Sequence, residues 1–120
     1  MRYREIKTEV LSMAVEDYHG LWELLWGLRP LLTKEAGADI KNYAEKAVRE
    51  LLSKGWIALF RRVGATGKEI PLQPYEIEYA LADPINWVEP APEAAEILVV
   101  ATEQGTSMYY SLGNKGLLEA

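Results

Sequence analysis

The segment Asn42–Val63 constrains this chain more than any other, because a strongly amphipathic helical pattern runs through one glycine into a strand pattern. Tyr43, Ala44, Ala47, Val48, Leu51 and Leu52 share one helical face. On the other face Glu45 and Arg49, and Lys46 and Glu50, set opposite charges four residues apart. Asn42 and Glu45 have the spacing of an N-cap and its third-position acid, with Asp39 as a competing cap. Gly55 stands where a left-handed helix stop is needed. The run from Trp56 to Val63 is aromatic and branched and too short for another helix, so it reads as a strand.

At 120 residues the chain has the length of one domain, and residues 1–120 are read as a single unit. Its 49% hydrophobic and 26% charged residues describe an ordinary globular sequence. Without cysteine, disulfides and thiolate metal sites are impossible, which favours the cytoplasm. The N-terminus is dotted with charges (Arg2, Arg4, Glu5, Lys7, Glu9), and no stretch approaches the roughly 18 apolar residues of a membrane span, so neither export nor membrane insertion is expected.

The net charge of −5 disfavours a protein whose whole surface embraces nucleic acid. The charge is, however, polarised. Lys41, Lys46, Arg49, Lys54, Arg61 and Arg62 face only Glu45 and Glu50 in residues 41–62, whereas residues 69–120 hold nine acids against Lys115.

Elsewhere, Val10–Val15 is a short apolar run that fits a strand or an extended arm leading to a cap at Glu16-Asp17. From Tyr18 to Arg29, Leu21, Leu24, Leu25 and Leu28 recur at helical spacing beside Trp22 and Trp26, and Pro30 ends or kinks that helix. Thr33–Asp39 is a connection. Gly64–Lys68 is a turn, Pro71 and Pro74 bracket an extended link, and Tyr75–Ala82 forms a short helix stopped by Asp83-Pro84. Ile97–Ala101 is a buried strand, after which Thr102–Gly105 opens either a hairpin or a capped final helix. Gly113, Asn114 and Gly116 predict a frayed end.

The piece from Ala47 to Ile57 and the piece Val99-Val100-Ala101-Thr102-Glu103-Gln104-Gly105 resemble, respectively, the recognition helix turning into the first wing strand and the strand-Thr-x-x-Gly step ending the wing in bacterial winged-helix regulators. The resemblance covers about half the chain. It implies an α+β, winged-helix-like fold with two main helices, a small antiparallel sheet and a long irregular insertion, residues 64–96, between the wing strands. The insertion is far longer than a simple wing. In this reading the usual second helix would lie between Leu31 and Ile40. Tyr18–Glu23 also resembles the opening helix of small uncharacterised bacterial proteins.

The resemblance makes DNA the expected partner. Asn42, Lys46, Arg49 and Ser53 share a helix face on which Arg can grip guanine, Asn adenine and Lys phosphate, with Arg61, Arg62 and Lys68 adding phosphate contacts. The competing reading is a solvated charged face. Trp22 and Trp26, with Trp56, Trp87, Tyr109 and Tyr110, either fill the core or offer an interface, and the alternative function is a protein-interaction or assembly module dimerising through helix 18–29. His19 with Glu16, Asp17 and Glu23 makes a poor metal site. Gly64–Glu69 lacks the first glycine and the metal-binding hydroxyl of a phosphate loop, and no serine sits in a nucleophile elbow. No enzyme activity, cofactor, metal or small-molecule substrate is expected.

Overall fold

In the computed structural model, which describes residues 3–32, 39–64 and 66–112, the first element is a helix, α1, Tyr3–Glu16. The apolar run Val10–Val15, expected as a strand or arm, is its second half. Ile6, Val10, Leu11, Met13 and Ala14 are buried along one face. A short apolar run does not by itself distinguish a strand from a buried helix segment, and the helical period emerges only when the window reaches back to Ile6.

A two-residue strand, β1 (His19–Gly20), precedes α2 (Leu21–Leu28). The second helix thus starts three residues later than Tyr18. Gly20 is extended, and its amide donates to the Glu23 carboxylate at 2.7 Å, which closes the helix start. Pro30 is taken up in a 3₁₀ turn, Arg29–Leu32. Of the stretch from Leu31 to Ile40, where the winged-helix reading would put its second helix, the described residues Leu31, Leu32, Asp39 and Ile40 belong to this turn and to the start of the next helix. Most of the Thr33–Asp39 connection lies outside the described residues.

Helix α3, Ile40–Ser53, buries Ala44, Ala47, Val48 and Leu51. Asp39 rather than Asn42 is its N-cap, although no side-chain bond forms there, so Asn42 lies within the first turn. Glu45 cannot return to an N-cap, being held by Lys41 at 3.0 Å and by Arg49. At the other end Gly55 has φ +76°, its amide donating to the Leu52 carbonyl and that of Trp56 to Leu51 at 3.0 and 3.1 Å. This pair of bonds is the left-handed stop that the glycine foretold.

Strand β2 (Ile57–Val63) follows at once and pairs antiparallel along its whole length with the last strand, from Ile57 opposite Ala101 to Val63 opposite Ala95. Between them, β3 (Ile70–Pro71) lines the outer edge of β2, and β4 (Ala95–Ala101) lies between β2 and β1. The four-stranded sheet has the order β1-β4-β2-β3, and every pairing is antiparallel. Ile97, Leu98 and Val99 are all buried, as the unbroken apolar run of a strand paired on both sides requires.

The insertion is not irregular. It contains β3, the helix α4 (Pro74–Ala82) and a 3₁₀ turn, Pro84–Trp87. Pro74 occupies the first helical turn, where its missing N–H costs nothing. Leu72, Ala80, Leu81 and Trp87 join the common core, and the Trp87 indole donates to the Leu81 carbonyl at 2.9 Å. Folded back in this way, the insertion leaves a radius of gyration of 13.7 Å, matching the roughly 14 Å of a compact chain of this length.

Thr102–Leu112 is resolved in favour of a helix, α5 (Glu103–Leu112), with the Thr102 hydroxyl accepting from the Gly105 amide at 3.0 Å. The described residues therefore hold five α-helices and a four-stranded antiparallel sheet, where two main helices had been expected. The frayed end expected at Gly113–Gly116 lies outside the described residues.

Candidate binding surface

Asn42, Lys46, Arg49 and Ser53 do share the outer side of α3, with Asn42, Lys46 and Ser53 exposed. Their side chains are differently engaged. Ser53 Oγ donates back to the Glu50 carbonyl at 2.7 Å. Lys46 does not pair with Glu50; its ammonium lies 4.3 Å from the Tyr3 ring centroid. Glu50 belongs instead to α1, accepting from Lys7 Nζ at 2.6 Å and the Tyr3 hydroxyl at 3.2 Å. Arg49 donates twice to Glu45, at 3.0 and 2.8 Å, and with its remaining nitrogen to Glu78 of α4 at 2.7 Å.

The strand cations are engaged as well. Arg61 donates to Glu76 of α4 at 2.9 Å. Arg62 reaches Glu69 at 3.4 Å and Glu96, its cross-strand partner, at 3.3 Å. Because successive strand residues point to opposite faces, Arg61 and Arg62 cannot serve one surface. Lys68 is exposed in the turn beyond β2. Thus Lys41, Arg49, Arg61 and Arg62 of the basic stretch are paired with carboxylates, while Lys46 and Lys54 lie over the Tyr3 and Trp56 rings.

The ionisation of the acids follows from this pairing. For Glu45 burial opposes ionisation, but hydrogen bonds from Arg49 and Lys41 outweigh it and hold the carboxyl below its ordinary range. Glu50 is lowered chiefly by the hydrogen bond from Lys7. Glu76 is lowered by the Gln73 amide, then by Arg61. The Arg49 guanidinium is pushed up, first by Glu78 and then by Glu45. Carboxylates and arginines on this face are each other's counter-ions.

Trp22 and Trp26 meet edge to face at 5.6 Å, and they differ in exposure. Trp26 is 60% exposed, whereas Trp22 is half-buried against Gly20, its indole nitrogen buried without a partner among the described residues. Trp87 is buried, Trp56 and Tyr109 are partly buried, and Tyr110 is exposed. His19 sits in β1 with Nδ1 at 3.1 Å from the Asp17 carbonyl. Among the described residues no three His, Cys, Asp or Glu side chains group as metal ligands, and no helix is long and apolar enough to cross a membrane.

One exposed surface went unread in the sequence. Tyr75 and Tyr79 of α4 are 72% and 79% exposed, with Ile85 and Val88 exposed just beyond the helix. The signal was present: once Ile77 and Leu81 are assigned inward, helical period sends Tyr75 and Tyr79 outward and Glu76 and Glu78 to the flanks.

No family model matches the chain, and neither a curated protein nor a solved structure does.

Proposed function

We propose that this chain is a non-enzymatic protein-interaction module built on a winged-helix plan, and that it contacts protein in preference to nucleic acid. The order α1, β1, α2, α3, β2, β4, with β4 between β1 and β2, supports the plan. The observation that carries the choice of partner is that Arg49, Arg61 and Arg62 are each bound by carboxylates. Binding a phosphate with any of them would first strand a glutamate without its counter-ion. Exposed aromatic rings supply the alternative contact surface, as they do at the energetic centres of protein interfaces.

The simplest partner is a second copy, meeting through α2 with Trp26 at the centre and Trp22 behind it. Light scattering at tens of micromolar protein should then give twice the chain mass. Trp26→Ala, which removes an exposed ring, should return the single-chain mass with unchanged circular dichroism. A wild type that stays at single-chain mass sinks the self-association form.

A second reading, DNA contact by α3, is favoured by the exposure of Asn42 and Lys46 on the outer side of that helix. It requires α4 to release its arginines.

A further inference from the structure

The groove on α4 has a recognisable chemistry. Tyr75 and Tyr79 stand one turn apart opposite the inward Ile77 and Leu81, and together with Asp83 and Asn86 they border a groove of about 300 Å³. Arg61 and Glu76 also line it, joined to one another at 2.9 Å. That bond and the Glu78–Arg49 bond at 2.7 Å hold α4 from its two flanks. The rings are thereby presented on a helix whose orientation is already set, which lowers the ordering cost of binding.

The charge of the groove selects its occupant. Arg61 is neutralised by Glu76, so Asp83 is left as the uncompensated charge, one of its oxygens accepting from the Ile85 amide at 3.1 Å. Arg61, Glu76 and Asp83 are the charged residues of its lining, which leaves the groove one net negative charge. An anion is repelled there, and a purely apolar group would desolvate Asp83 without compensating it. A cation gains twice, from the negative faces of the tyrosine rings and from the carboxylate.

We propose that this groove receives an arginine or lysine side chain from a basic segment of a partner protein, the aliphatic stem between Tyr75 and Tyr79 and the charged head against Asp83. The inference rests on the protein-contact reading above, but not on self-association through Trp26.

The test is a titration of the isotopically labelled full chain with N-acetyl-arginine methylamide, followed by NMR of the Tyr75 and Tyr79 rings and the Asn86 side-chain amide. The neutral isostere N-acetyl-citrulline methylamide is the control. The arginine probe should give saturable shifts at these three groups and bind roughly 2- to 30-fold more tightly than the isostere, the range a cation over aromatic rings supplies. Tyr79→Ala, at a highly exposed position, should abolish the ring shifts with the fold intact. Asp83→Asn, which retains a capping side chain, should weaken binding.

Absent shifts, equal response to both probes, or a response untouched by Tyr79→Ala would each overturn the proposal. Ring shifts that grow with protein concentration in the absence of probe assign the groove to a second copy and likewise overturn it. The same titration on Trp26→Ala should give the same shifts. Self-association and cation capture can therefore fail separately.

Discussion

Lys7 shows how far one residue departs from what its neighbours in the chain suggest. It is 1% exposed, yet it sits in α1 with its ammonium 2.6 Å from Glu50 and 5.0 Å from the Tyr3 ring centroid. The Glu50 charge and hydrogen bond reinforce burial in pushing the Tyr3 hydroxyl pKa upward. Glu50→Gln should destabilise the fold by about 3 kcal/mol in urea unfolding, the low end for stranding a buried charge, because Glu50 itself is partly solvated. Replacing both partners together by Met and Leu should cost much less. The sign with pH follows from the lowered Glu50 carboxyl, whose ordinary value is 4.5. Its contribution is fully present above that value and fades as pH falls from about 5 through the depressed native value. Glu50→Gln should flatten the acid limb of a stability-versus-pH curve; an unchanged limb would exclude this pair as its source.

At the scale of elements, joins carry more information than middles. Gly55 announces the end of α3, and the Leu51–Ile57 step was readable because both the helical period and the left-handed stop are local properties. The start of α5 was not. Thr102 and Gly105 suit a hairpin as well as a cap, and the choice is made by Trp56, whose carbonyl accepts from the Thr102 amide at 2.9 Å and lies directly against Gly105. A Cβ on Gly105 would overlap that carbonyl oxygen. Thr102→Ala should lower stability by about 1 kcal/mol, the loss of one cap. Gly105→Ala should fall at the top of the roughly 1–3 kcal/mol range for overpacking, since backbone must move. Thermal unfolding of the two variants tests the order, and a milder Gly105→Ala would mean that the contact between α5 and the Trp56 backbone is loose. The Val10–Val15 segment makes the complementary point: its helical face is completed by Ile6 and Lys7, outside the apolar run.

For the whole molecule, the question is where the charge goes. Residues 41–62 are basic and residues 69–96 acidic, and folding lays one against the other. If these contacts screen the α3 side from DNA, then Glu76→Gln combined with Glu78→Gln frees Arg61 and leaves Arg49 held by Glu45 alone. Binding to mixed-sequence DNA should then appear or strengthen, with log K against log salt steeper by about 0.9, the slope for one added phosphate contact. Wild-type binding that is already tight and steeply salt-dependent would reverse the ranking of protein over nucleic acid. The tyrosines of α4 belong to the same scale. They were legible as helix residues, and their exposure follows once Ile77 and Leu81 are turned to the core.

What the amino-acid order determined alone is the set of local elements: the α3–Gly55–β2 unit, α4 up to Asp83-Pro84, and the buried β4. Each depends on periodicity, capping or restricted backbone angles within a few residues. Tertiary structure alone decided which charges remain free. The Glu45–Arg49 pair follows from helical spacing, but those that join Arg61 to Glu76, Arg49 to Glu78 and Arg62 to Glu96 span 15, 29 and 34 positions, beyond any helical or strand period. The basic helix-to-strand unit that dominates the sequence is thus the support for α4, whose exposed side carries Tyr75, Glu78 and Tyr79.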